Sequence, residues 1–324
     1  MNWLEDPSMD VEPWQVENYR DLSDRDIFDR LERFEIRVDK STFFAYAEES
    51  SDPEELADAL VGDEDDAKLQ DQIFLLVFEL WRRYEHDKLD MSIFCDELDW
   101  QINLYDRDAV EDSEAVQDVL SILETVLDEN VDQGGEPIDV FQAVAAECAN
   151  DLPDFLYDFI SDQIDSDNMD YALELADGFI EYLEDDRWFQ LLKARIAERS
   201  DLEEVNGLLD RVVNDVFEEE DLELVFEILE VLVEGGQVDL FGRMVETATR
   251  LLKKEEEFQE LLTVCASFFG LSDYDAEEAK IQLILAGREY RDPEGQIVVS
   301  EADVQQLGIL VREFCSDQAT QGSS

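Results

Sequence analysis

The feature that most constrains the fold is the stretch between Lys88 and Arg187. Its 98 residues hold thirty Asp and Glu and a single base, Arg107. Such an imbalance opposes any compact state by self-repulsion, and on its own it describes a disordered tail. A second pattern answers it, because Leu, Ile, Val and Phe recur through the same residues at helical spacing. One side of each segment can then be buried while carboxylates cover the other. The expectation is folded helices with an acidic outside.

The rest of the chain supports that reading. Six prolines and thirteen glycines in 324 residues are few, while Leu, Glu, Ala and Phe are plentiful. This favours long helices joined by short connections over a many-stranded sheet. With 45% hydrophobic and 10% aromatic residues, the chain can bury a core despite a formal charge of −63. The predicted fold class is all-α, an elongated stack of antiparallel helix pairs, α-solenoid-like, with about 13 to 15 helices.

Boundaries follow from capping chemistry. Ser23 precedes a helix carrying Ile27, Leu31, Phe34 and Ile36, and a short helix follows near Ser41–Glu49. Asp52 caps a third, with Pro53 at its first position and Glu54 and Glu55 in its first turn. Residues 66–86 read as a long buried helix, apolar almost all round at Ile73–Phe78, and further helices are predicted at about 90–104, 113–130, 137–149 and 152–165. From Met169 onward, first helices begin near 169, 201, 238 and 275 and second helices near 187, 221 and 256, before a last helix near 301–315. The organisation is an N-terminal arm over 1–20, with Trp3 and Trp14 to pack on the first helices, an acidic helical domain over 21–165, a helical-hairpin repeat domain over 166–316 and a disordered tail over 317–324.

The repeat spacing of 32 to 37 residues, with small residues at helix contacts (Ala176, Gly178, Ala194, Ala197, Ala248), resembles the tetratricopeptide and related α-solenoid families over residues 169–315. The tetratricopeptide pattern of Trp, Leu-Gly, Tyr, Ala, Phe, Ala and Pro is not reproduced in any one repeat, so no ligand positions carry over. What the resemblance implies is a role in scaffolding and protein binding.

Several chemistries find no support. His86 is the sole histidine, which leaves zinc without a Cys/His ligand set and a Ser–His–acid or Cys–His nucleophile without a recognisable loop. Gly134-Gly135 and Gly235-Gly236 lack the Lys-Ser or Lys-Thr of a phosphate loop. A calcium loop from Asp165 would need Gly and Glu where Asp170 and Ala176 stand. The four cysteines, Cys95, Cys148, Cys265 and Cys315, are far apart and read as buried reduced thiols. No apolar run approaches the roughly 20 residues of a membrane span, and Met1–Asp6 lacks a leader pattern, so no membrane and a cytoplasmic location are expected. The expectation is a non-enzyme without cofactor.

The charge admits three readings. One is a salt-adapted, solubilising surface. The second is a helical scaffold or chaperone that recognises a basic protein partner by complementarity, and it is favoured. The third is a nucleic-acid mimic. Seven helix pairs at roughly 10 Å each would carry about 0.9 charge per Å, against about 0.6 for duplex DNA. Net charges of −8, −12, −12, −10, −12 and −6 in successive blocks of fifty show no concentrated stripe. Direct nucleic-acid binding is disfavoured because Lys and Arg are scarce. The candidate contact residues are Asp96, Glu97, Asp99, Asp154, Asp158, Asp162 and Asp165. The oligomeric state stays open.

A surface of this charge repels itself, so screening should stabilise it. The melting temperature is expected to rise from low to molar salt, and a flat profile would overturn this and show that the acids are well dispersed.

Overall fold

The computed structural model describes residues 11–62, 66–85, 90–107, 109, 113–197, 212–213, 221–235 and 238–321. Among them lie fifteen α-helices and no strand, with one isolated antiparallel bridge between Lys254 and Gln296. The fold is all-α and built from packed helix pairs. Contacts divide the chain into two compact units, Met1–Phe155 and Leu156–Ser324. The division falls within a helix rather than at the change of pattern after residue 165.

In the first unit the helices are α1 (Asp24–Arg33), α2 (Lys40–Glu49), α3 (Pro53–Val61), α4 (Ala67–Tyr84), α5 (Met91–Asp106), α6 (Ser113–Asp132) and α7 (Pro137–Glu147); α8 (Leu152–Asp165) contains the division. The acids do structural work at their starts. Asp39, Asp52, Asp66 and Asp90 each accept an amide of the first turn, where free N–H groups and the helix dipole both favour a carboxylate. Ser23 does the same for α1, which ends at Arg33. Ile36 lies beyond it, where Glu35 takes a left-handed φ of 65° and the Ile36 amide reaches back to Leu31.

The apolar stretch at 73–78 becomes the spine of this unit. Ile73, Leu76, Val77, Leu80 and Trp81 are buried against Ile27, Leu31, Phe43 and Leu56, while Phe74 and Phe78 are half-buried and touch one another. Residues 11–21 are tied down by charge. Arg30 grips Glu17 through two bonds of 2.7 Å, and Lys68 pairs with Glu12. Trp14 is half-buried beside them, and Trp3 lies outside the described residues.

The second unit holds α9 (Met169–Phe179), α10 (Arg187–Ala197), α11 (Leu222–Gly235), α12 (Val238–Leu251), α13 (Glu255–Leu271), α14 (Asp275–Arg288) and α15 (Ala302–Gln321). These starts agree within a residue or so with the predicted ones, except the start near 201, which lies outside the described residues. α15 runs to Gln321, past the tail boundary at 316, because after Gly308 no Gly or Pro stands before Gly322. The core is aromatic at its centre. Phe241 stacks on Phe268 at 3.7 Å, and Phe269, Phe314 and Tyr274 meet edge to face.

Pairing departs from a simple stack at the end of the chain. α12 packs on α15, while α14 packs chiefly on α13 and more lightly on α15. The connection between α14 and α15 is held by Arg288, 1% exposed, which donates to Glu255 at 2.7 and 2.5 Å and to Asp303 at 2.6 Å. Burial pushes the Glu255 carboxyl up, but hydrogen bonds from Arg288 and Gln259 and the charges of Arg288 and Arg291 outweigh it, and it settles below the ordinary 4.5. A carboxylate held low contributes stability above its ordinary value and loses that contribution as pH falls through the folded-state value. Arg288→Met should cost about 3–5 kcal/mol by leaving Glu255 buried with Arg291 as its remaining cation, and Glu255→Leu with Arg288→Met should recover most of it. Urea unfolding at neutral pH checks the costs. Repeated in acid, the wild type should lose more stability than the double variant.

Candidate partner-binding surface

The seven candidate carboxylates divide into two groups with different duties. Asp96, Glu97 and Asp99 sit on α5 and face inward connections of the first unit. Arg20 lies between the first two, 2.5 Å from Asp96 and 2.6 Å from Glu97, with its guanidinium 5.0 Å over the Trp100 ring. Burial pushes Glu97 up, yet hydrogen bonds from Arg20 and Gln101 bring it below its ordinary value. Asp96 shares the same cation and moves the other way. Its side chain keeps 45% exposure, but desolvation of the carboxylate outweighs the pull of Arg20, and the adjacent Glu97 charge adds to the rise. Asp99 accepts from the Ala149 and Asn150 amides at 2.8 and 3.0 Å and from Asn150 Nδ2 at 2.6 Å. These three are ties that join α5 to the N-terminal segment and to the end of α7.

Asp154, Asp158, Asp162 and Asp165 lie on α8, all exposed. Their spacing of 4, 4 and 3 places them on one face. Desolvation, then the charge of Asp151, raises Asp154 above its ordinary value. Asp165 receives Arg195 of α10 at 2.9 Å, and the same guanidinium donates to Ser161 at 2.6 Å.

Folding adds carboxylates that linear reading missed. The Tyr157 hydroxyl donates to Glu227 of α11 at 2.8 Å, which brings α8 beside α11. Glu230 is raised first by desolvation and then by Glu227, with Arg195 opposing. Glu260 of α13 is raised by desolvation and by Glu230, Glu256, Glu257 and Glu227. Within the second unit, one acidic surface therefore runs from the α8 ridge across α11 to α13. Glu230 and Glu260 are 30 residues apart in the chain, and the helix-pair period was the signal that could have placed them together; Tyr157 and Glu227 are 70 apart.

The thiols also group differently from their sequence positions. All four are free, but only Cys95 and Cys265 are buried; Cys148, which ends α7, and Cys315, within α15, are half-buried. Cys95 of α5 and Cys148, the residue that ends α7, lie close enough that each shifts the other's ionisation, Cys95 downward and Cys148 upward. Cys95 Sγ lies 3.9 Å from the Val144 carbonyl, and Asp99, one turn along α5, holds the residues after Cys148. The charges acting on the pair are carboxylates (Asp99, Glu147 and, on Cys95, Asp90), which oppose thiolate formation. Among the described residues, no group of three or more His, Cys, Asp and Glu is arranged to hold a metal, and no helix is long and apolar enough to cross a membrane. His86 lies outside the described residues.

Compared with known proteins, the chain matches no family model, no curated protein and no solved structure.

The thiol pair is directly testable. With oxidised glutathione, Cys95 and Cys148 should lose two protons and two electrons to form one disulfide as the reagent is cleaved to two thiols. Peptide mapping should find that link, and Cys148→Ser should abolish it. Two unreacted thiols would show that the pair does not approach bonding distance.

Proposed function

We propose that the chain is a non-enzymatic helical scaffold or chaperone whose acidic face on the second unit binds a basic protein partner. The observation that carries the reading is the group Glu227, Glu230, Glu256, Glu257 and Glu260. Its carboxylates are crowded enough that Glu230 and Glu260 are held above their ordinary values by desolvation and mutual repulsion. A Lys or Arg placed among them would replace that repulsion with attraction. By contrast, Asp96, Glu97 and Asp99 have their bonding directed inward and are not proposed as contacts. On the α8 ridge, Asp158 and Asp162 extend the face.

Reaction chemistry has no part in this reading. Binding would depend on complementarity of charge over several helices, so it should weaken steeply with salt. It should also depend on pH in a definite direction. A bound cation favours the ionised carboxylates and so releases protons, which means that acid competes with the partner. With a lysine-rich peptide as probe, calorimetric affinity should fall severalfold between about pH 7 and pH 5. Glu230→Gln with Glu260→Gln should weaken binding about tenfold and flatten the pH profile. Affinity that is independent of both pH and these two residues would remove this face from the proposal.

A further inference from the structure

The acidic face does not account for the most exposed apolar side chains among the described residues. Tyr290 is 91% and Leu283 75% exposed; Leu283 is on α14, and Tyr290 lies in the turn that follows it, two residues past Arg288. Ala276, Ala279, Leu283 and Ala286 of α14 are all exposed and recur at intervals of 3, 4 and 3, the heptad spacing of one helix packing along another, and exposed Tyr290 follows four residues on, just past the helix end. The opposite side of α14 carries Ile281, Ile284 and Arg288, which are buried. The helix thus has two apolar faces, of which its own unit covers one.

The pairing of helices explains why. α15 packs on α12, and α14 is left packing chiefly on α13. A solitary exposed Leu needs no explanation, whereas a continuous apolar line ending in a fully presented Tyr has the form of an interface anchor. The three alanines keep that line shallow, so a partner helix could approach closely with Leu283 and Tyr290 as its points of insertion.

Electrostatics selects the occupant. One edge of the line carries Asp275 and Glu289, the other edge Lys280. From Glu255 to Ser316 there are 14 Asp and Glu against 4 Lys and Arg. A second copy, itself carrying −63, would approach against repulsion. A helix with an apolar seam and Lys or Arg beside it would be attracted. We propose that the outer face of α14 docks a cationic amphipathic helix of the basic partner, with Leu283 and Tyr290 in the apolar seam and Asp275 and Glu289 on its cations. This rests on the basic-partner reading and assigns it a second, apolar contact.

The test uses the full-length chain and a three-heptad peptide with Leu at the a and d positions and Lys on the flanks. A control peptide of the same composition is scrambled so that it keeps the charge and loses the seam. The expected result is at least tenfold preference for the seamed peptide, lost in Leu283→Ser with Tyr290→Ser while melting temperature and the weaker binding of the scrambled peptide are unchanged. Equal binding of both peptides, or unchanged preference in the double variant, would overturn the α14 assignment and leave the acidic face standing. Binding of neither peptide at low salt would overturn both. Sedimentation completes the test: dimers that dissociate in the double variant would assign the face to a second copy and overturn the proposal.

Discussion

Scarce cations placed at junctions between helices hold this structure together. With 87 Asp and Glu against 24 Lys and Arg, a cation on the open surface would stabilise little, since exposed pairs are screened and mobile. Four of the described arginines instead sit where segments meet, while others such as Arg25 and Arg250 pair along their own helices at the surface. Arg83 links Glu79 and Asp24 and donates to the Leu22 carbonyl. Arg20 joins the N-terminal segment to α5, Arg195 joins α10 to α8, and Arg288 joins α14 to α13 and α15. Each lies partly or wholly out of water, where a carboxylate partner matters more and its loss leaves an uncompensated charge.

This placement also sorts the acids by role. Some cap helices, as Asp39, Asp52, Asp66 and Asp90 do. Others neutralise the junction arginines. The remainder face solvent, and there like charge accumulates, most clearly where α11 and α13 bring Glu230 near Glu260. The same composition that makes the chain hard to compact thus supplies its caps, its internal ties and its candidate binding face. A mean charge density cannot separate these roles, because it counts Asp99 and Asp162 alike.

The two contact types proposed for the partner have complementary physics. Carboxylate clusters act at a distance, steer cations and tolerate many geometries. The α14 seam acts only in contact, and its heptad spacing demands a particular register. Selectivity among basic proteins would come from the second, since charge alone attracts any polycation.

Helix type and most helix starts were legible in the sequence, because they depend on local causes. Asp52 before Pro53 starts a helix whatever surrounds it, and a run such as Ile73–Phe78 must be buried somewhere. The all-α class and an acidic exterior follow from the same local chemistry. Which acids face a partner was not legible: Asp96, Glu97 and Asp99 became internal ties only because folding set Arg20 and Asn150 against α5, 76 and 51 residues away. The Glu230–Glu260 cluster, the Cys95–Cys148 pair and the uncovered side of α14 likewise depend on which helix packs on which. That choice is made by matching of apolar faces and placement of a few arginines between distant segments, and only the tertiary structure decides it.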